Sequence, residues 1–351
     1  MQNNLIESFS CPMPIAEHKN VLLAHGGGGK LMHQLLKKII FPSFHNRYLE
    51  QQHDGAVIDI NGSRIAFTTD SYVVSPLFFP GGDIGKLAVY GTVNDLAMCG
   101  ARPRWISLAT IIEEGLPMET LSKVVESIKE AAAITGVEIV TGDTKVVDKG
   151  KGDGIFINTA GIGIIEKPVN INPQNVCDGD NVIINGDVGR HGMAIMSVRE
   201  GLEFESTITS DCAPLSHTVM NLIENDVKIH CLRDLTRGGL ASGLNEIASA
   251  SNNQIEIDET LIPISDEVKG ACEILGLDPL YVANEGRMVI FVPPSDTDKA
   301  LEVIKRDENS KSAAIIGKVK KSDQPIVLRK NSIGITRILD MLSGEQLPRI
   351  C

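Results

Sequence analysis

The residues that could do chemistry fall into a few compact groups. His25-Gly26-Gly27-Gly28-Gly29 follows a short apolar run. Four successive glycines are costly in backbone entropy, and their unhindered N–H groups can wrap an anion such as a polyphosphate. A P-loop would need glycine at Ala24 and Ser or Thr at Leu31, and a Rossmann fingerprint would need its third glycine at Leu31 or Met32. Neither fits, so the stretch reads as a phosphate cradle of another kind or as a plain turn. Asp70, Asp95, Asp143 and Asp234 lie at predicted strand ends, helix starts or inside an apolar helix. Each alone reads as a cap or a solvated acid, but together with a glycine loop they suit Mg²⁺, which takes a few carboxylates plus phosphate oxygens. Lys86 and Lys145 could neutralise phosphate charge. Gly189-Arg-His191-Gly192 and Asp234-Leu-Thr236-Arg237-Gly-Gly239 open helices, whose N-termini favour anions. Glu285 precedes a strand and could serve as a base. Cys351 ends the sequence on a short polar segment with Pro348, where a thiol could act as a carrier arm or be incidental.

Elements must position these groups. A helix is predicted after the glycine loop, with Leu31, Leu35 and Ile39 on one face. Arg64–Thr69 reads as a strand ending at Asp70. Asp83 is a good N-cap for a helix running to Met98 and stopped by Gly100. Leu121, Val124, Val125, Ile128 and Ala132 have helical spacing, closed by Gly136. Trp105–Ile112 and Phe156–Ile165 read as strands, and Val137–Val140 as a short strand delivering Gly142-Asp143-Thr144-Lys145 onto a loop. Asn181–Ile184, Ile255–Ile257 and Met288–Val292 are further strands, and a helix runs from Leu240 to Ala250. Alternating elements indicate an α/β (or α+β) chain.

Composition sets limits on function. The chain has 351 residues, and single cores stop growing beyond about 250–300, so two domains are expected. Residues 1–20 read as an irregular extension. Proline and asparagine weaken the pattern near 166–178, which divides an N-terminal domain (21–167) from a C-terminal one (168–338), followed by a tail (339–351) that looks mobile. A net charge of −12 argues against nucleic-acid binding. No apolar run approaches a membrane span, and residues 1–20 lack the apolar stretch of a signal peptide. The seven cysteines are scattered without C-x-x-C spacing, which indicates free thiols and a reducing, cytoplasmic setting.

Nine stretches carry a resemblance: Ala24-His-Gly-x-Gly-Gly, Phe67-Thr-Thr-Asp-Ser-Tyr-Val-Val, Phe78-Phe-Pro-Gly-Gly-Asp-Ile-Gly-Lys-Leu, Gly91-Thr-x-Asn-Asp, Glu113-Glu-Gly-Leu-Pro-Met, Thr141-Gly-Asp-Thr-Lys-Val-Val, Arg233-Asp-x-Thr-Arg-Gly-Gly, Ala283-Asn-Glu-Gly and the terminal Pro348-Arg-Ile-Cys351. From about residue 21 onward the sequence resembles the HypE family of hydrogenase maturation factors. That family belongs to the ATP-using superfamily of aminoimidazole ribonucleotide (AIR) synthetase, selenophosphate synthetase and thiamine-monophosphate kinase. The resemblance implies a two-domain PurM-like fold whose N-terminal domains pair into a homodimeric β-barrel. It implies that HypF loads a carbamoyl group on Cys351. ATP-driven dehydration then yields a thiocyanate, and the HypC–HypD complex accepts the cyanide for the iron of a [NiFe]-hydrogenase.

By matching motif, Asp70, Asp95 and Asp234 would hold Mg²⁺–ATP. Gly26 to Gly29, Lys86 and Thr236 would line the phosphates, with Asp83, Asn94, Asp143, Thr144 and Arg237 also in the nucleotide site. Lys145 and Glu285 would flank the arm as electrostatic stabiliser and base. Lys30 and the extension with Cys11 match no motif and are given no role. The competing readings are a selenophosphate synthetase or small-molecule kinase of the same superfamily, or a non-catalytic ATP-binding adaptor whose tail only docks a partner.

Overall fold

The computed structural model describes residues 18–201 and 208–343; Cys11 and the terminal residues 344–351 with Cys351 lie outside them. After the glycine loop come helix α1 (Lys30–Leu35), a π-helical turn, and a short helix α2 (Phe41–Ser43). Strands β1 (Ala56–Ile60) and β2 (Ser63–Tyr72) form an antiparallel pair, and the two-residue strands β3 (Phe78–Phe79) and β4 (Gly82–Asp83) form a small ribbon. Helix α3 (Ile84–Met98) follows, then β5 (Arg102–Glu113), α4 (Met118–Thr135), β6 (Glu138–Val147) and β7 (Ile155–Ile165). The sheet order is β1-β2-β7-β5-β6, with β5 and β6 parallel because α4 carries the chain back between them. Two expectations need correction. β2 continues past Asp70 to Tyr72, since β7 pairs with it throughout. Gly142–Lys145 are not on a loop. They continue β6, because each pairs with β5, from Leu108 to Ile111. Turn-forming residue types there are overridden by the strand ladder. The sheet is open in the single chain, and β6 forms one edge with nearly all its residues exposed.

Helix α3 is buried almost all round, which is how a helix at the centre of a protein reads. Asp83 caps it by accepting from the N–H groups of Gly85 (2.8 Å) and Lys86 (3.1 Å). Gly100 ends it at φ +73°. One side of α3 packs on β2, β7 and α4, and its far end meets the second domain.

That domain contains β8 (Asn181–Ile184), α5 (Arg190–Arg199), α6 (Ser216–Glu224), β9 (Cys231–Asp234), α7 (Gly239–Ser251), β10 (Asn253–Asp258), α8 (Asp266–Leu275), β11 (Met288–Val292), α9 (Thr297–Ile304), β12 (Ala314–Lys321), β13 (Val327–Lys330) and β14 (Thr336–Ile338). Its seven-stranded sheet has the order β14-β13-β10-β12-β8-β11-β9. The central strands are apolar on both faces because both are covered. Val289 and Phe291 pack with α7, whereas Met288, Ile290 and Val292 pack with α6 and α9, following the two-residue period of a strand.

Candidate active site between the two domains

A cavity of about 290 Å³ opens where the glycine loop, β2 and the C-terminal half of α3 meet the β9–α7 connection. Asp70 enters from β2, Asp95 from α3 and Asp234 from the end of β9. Asp54, just before β1, joins them and was not singled out from the sequence. Carboxylate oxygens of Asp54, Asp95 and Asp234 lie within 4.8 Å of one another. Arg233 contacts Asp54 through its Nη1, and its Nη2 donates to the Gln52 carbonyl (2.7 Å). Asp54 Oδ2 is buried with no hydrogen-bond partner.

The acids divide electrostatically. Burial pushes Asp95 and Asp234 well above the usual carboxylate range, and the neighbouring acids add to it: Asp234, Asp54 and Asp70 for Asp95, and Asp54 and Asp70 for Asp234. Burial works on Asp54 in the same direction, but Arg233 and His53 outweigh it and hold Asp54 below that range. The Thr68 hydroxyl lies 2.8 Å from Asp95 Oδ2 and 2.9 Å from the Asp54 carbonyl oxygen. One hydroxyl proton facing two acceptors fits an Asp95 that carries a proton of its own. Asp70 lines the same cavity with Arg237, 4.0 Å from the guanidinium Nη2.

The glycine loop is built against this cavity. A Cβ on Gly28 would lie 2.7 Å from the Arg237 backbone carbonyl, and φ there is +74°, so both space and conformation require glycine. Ser242 Oγ donates to the Gly28 carbonyl (2.9 Å). Gly29 abuts the Leu342 carbonyl, which accepts from Lys30 N–H (2.8 Å). Lys30 also pairs with Asp340 at 2.5 Å. The last described residues are thereby tied to the loop. Gly26 has open space around it, and a Cβ on Gly27 would meet only the Ala24 carbonyl oxygen, at 3.8 Å. Gly28, Asp70, Asp95, Asp234, Thr236 and Arg237 are thus brought together.

Glu285 is a close neighbour of this acid group. It is only 4% exposed, and its Oε1 is buried without a hydrogen-bond partner, 4.0 Å from His191 Nε2. Burial, then Asp234, Asp70 and Asp211, push its carboxyl well above the usual range. Asn94 holds the loop in place: its amide donates to the Glu285 (3.3 Å) and Ala213 (3.2 Å) carbonyls, and its Oδ1 accepts from Leu215 N–H (2.7 Å). Asn94 thus joins α3 to the second domain. Asp83 is likewise engaged, bonding the Ser127 hydroxyl besides its cap contacts. Lys86 is half-buried at the start of α3 and outside the residues that line the cavity.

Asp143, Thr144 and Lys145 lie elsewhere. They are exposed on β6, separated from β2 by β7 and β5, a distance of roughly 14 Å at one strand spacing each. Lys145 pairs with Asp143 at 2.7 Å. Within one chain the structure does not bring this group to the cavity.

The residues missed from the sequence are Asp54, Arg233 and Thr68. Arg233 and Thr68 flank recognised positions, but Asp54 sits in an irregular stretch with no local pattern, and only the fold shows where it points.

The signature of the AIR synthase related protein N-terminal domain matches residues 52–165, and that of the C-terminal domain matches 178–330. A two-domain protein of the AIR synthase class is therefore defined by fold and site together. Carbamoyl dehydratase HypE from Rhodobacter capsulatus is 48% identical over 95% of this chain and 98% of its own. The Azotobacter vinelandii carbamoyl dehydratase HypE is 45% identical over 95% of this chain and 97% of its own. Among solved structures, HypE in a HypE–HypF complex superposes with a TM-score of 0.83 at 47% identity, covering 88% of this chain and 99% of that one. HypE in complex with ATP gives 0.80 at 45%, covering 95% and 100%. The chain belongs to the HypE family of carbamoyl dehydratases within the AIR synthase related proteins.

Proposed function

We propose that this protein uses ATP to dehydrate an S-carbamoyl group on Cys351 to a thiocyanate, supplying cyanide for the iron of a [NiFe]-hydrogenase. The observation that carries the reading is the acid-lined cavity beside Gly28, in a chain of the carbamoyl dehydratase family. Gly28 and the Thr236–Arg237 turn bind the phosphates of ATP. Asp54 Oδ2, which makes no hydrogen bond, and the mutual repulsion of Asp95 and Asp234 fit a hard, oxygen-loving cation. Asp54, Asp95 and Asp234, with Asp70 beside them, would hold Mg²⁺, which when bound neutralises phosphate charge.

The carbamoyl oxygen attacks the γ-phosphorus, and ADP leaves. That oxygen is now a good leaving group. Loss of the two N–H protons expels it as phosphate and leaves a nitrile on sulfur. Glu285 accepts a proton in this step, because a buried carboxylate with a raised pKa is a stronger base. Cys351 can reach the site: the eight residues 344–351 span at most about 28 Å when extended, and Leu342 is fixed beside the glycine loop.

Lys145 takes part from a second copy. The β6 edge, with Ile139, Val140 and Val146 exposed and Trp105 and Ile111 on the adjoining strand, is a surface on which a homodimer would close the open sheet towards a barrel. HypF donates the carbamoyl group and the HypC–HypD complex accepts the cyanide. The setting is cytoplasmic. Five described cysteines are free thiols, and among the described residues no helix is long and apolar enough to cross a membrane. The test is ATP turnover and thiocyanate formation in Asp95→Asn, which should lose Mg²⁺–ATP affinity. Unchanged affinity would place the nucleotide elsewhere.

A further inference from the structure

A second group of metal-ligating side chains lies at the domain boundary and shares no residue with the acid cavity. The Sγ of Cys177, a carboxylate oxygen of Asp180 and a ring nitrogen of His230 lie within 4.8 Å of one another. Cys177 and Asp180 come from the turn before β8, and His230 immediately precedes β9. The turn is rigid. Asp180 N–H donates to the Cys177 carbonyl (3.2 Å), Gly179 sits at φ +88°, and Gly179 and Asp180 are bonded to both sides of Val319 on β12 (3.0 and 2.8 Å). His230 N–H is fixed to the Phe291 carbonyl (2.9 Å). The three donors are therefore held by a framework that needs no ion to form it.

The charge balance points the same way. The Asp180 side chain is 2% exposed, and its ion-pair partner among the described residues is His230, 2.8 Å from Oδ2, with no Lys or Arg within 4.0 Å. Oδ2 also accepts from Cys177 N–H (2.8 Å), so the turn aims a buried carboxylate at the imidazole, and a buried carboxylate favours a cation beside it. Cys177 is exposed, but its thiol turns back over the loop to the Asn175 carbonyl (3.1 Å) rather than outward.

We propose that Cys177, Asp180 and His230 bind a borderline divalent transition-metal ion of the Zn²⁺ or Co²⁺ type. Sulfur, imidazole and carboxylate together select such ions over Mg²⁺. Tetrahedral bonds of about 2.0–2.3 Å put ligand atoms about 3.4–3.6 Å apart, which side-chain rotation alone can reach from the present spacing. The exposed side at Cys177 leaves the fourth position to water. Binding converts the Cys177 thiol to thiolate, with its proton released to solvent, and needs no other reactant. The ion would fasten the interdomain segment to the C-terminal sheet at β8, β9 and β12.

Titration of Co²⁺ into the full chain tests this, with Cys351→Ser as common background so that the tail thiol does not contribute. The expected result is a near-ultraviolet thiolate-to-cobalt charge-transfer band that saturates at one ion per chain and is displaced by Zn²⁺. Cys177→Ser in that background should lose the band. His230→Gln should weaken Co²⁺ binding by at least the roughly 10–100-fold that loss of an outer-shell partner costs. Cys177 is exposed, so its replacement should leave the fold and Mg²⁺–ATP affinity intact; both are checked by circular dichroism and nucleotide titration. No band, or a band that survives Cys177→Ser, overturns the proposal.

Discussion

Glu285 and Lys145 are assigned to one reaction, yet their surroundings are opposite. Glu285 is buried between the domains, with an unpartnered oxygen and a carboxyl pushed up by burial and by neighbouring acids. Lys145 is exposed on an edge strand and paired with Asp143, which that pair holds below the usual carboxylate range. Burial gives the first group its chemistry before any ligand arrives. The second lies in water, which screens its charge. It gains a role only if something covers β6, and a second copy of the chain is the occupant proposed here.

The largest expected effect is at the buried end. Glu285→Gln should slow thiocyanate formation by about 100- to 10,000-fold, the range for loss of a general base. Nucleotide affinity should stay the same, measured by single-turnover kinetics beside ATP titration. A variant as fast as the parent would remove Glu285 from the chemistry. Next comes the exposed end. Lys145→Ala and Glu285→Gln proteins, each inactive, should recover about a quarter of wild-type activity when mixed and allowed to exchange subunits. Half the dimers are then mixed, and each mixed dimer has one intact site of two. No recovery would mean that both residues act from the same chain.

A smaller effect concerns the acids between these extremes. Asp95→Asn should weaken Mg²⁺–ATP binding by roughly 10–100-fold, read by calorimetry. The same variant should alter the pH dependence of stability in metal-free buffer. The raised carboxyls of Asp95 and Asp234 favour the folded state below the ordinary carboxylate range, and that contribution is lost as pH rises through their folded values. The melting temperature should therefore fall with rising pH above about 5, where the opposite contribution of Asp54 is already complete. Asp95→Asn should flatten that slope. The smallest effect is Asp143→Ala, which should leave the melting temperature unchanged because the pair it breaks is solvent-exposed.

What the sequence showed, and what it hid, follows the same division. Helix α3 was legible from end to end because its signals are local: Asp83 caps it and Gly100 stops it. Gly28 and Asp234 were legible as candidates because the glycine loop and an acid close before Gly238-Gly239 stand out locally, but Asp234 ends β9 and does not cap α7, whose N-cap is Gly238. Asp54 was not, since its role comes from Arg233 and Asp95, far away in the chain. Gly142–Lys145 read as a loop because glycine and aspartate are turn formers, and only pairing with β5 makes them strand. Helices α6, α8 and α9 were passed over, although α8 buries Val268, Ala271 and Cys272 against α5 and α9 buries Ala300, Val303 and Ile304 against the sheet and α6.

The most direct test of the central claim is intact-protein mass spectrometry of the full chain after incubation with HypF, carbamoyl phosphate and Mg²⁺–ATP. The account predicts a carbamoyl adduct that loses one water to become a cyano adduct on Cys351, with no adduct on Cys351→Ser although that variant still binds ATP. A carbamoyl adduct that persists unchanged while ATP is present, or a cyano adduct on another residue, would contradict it.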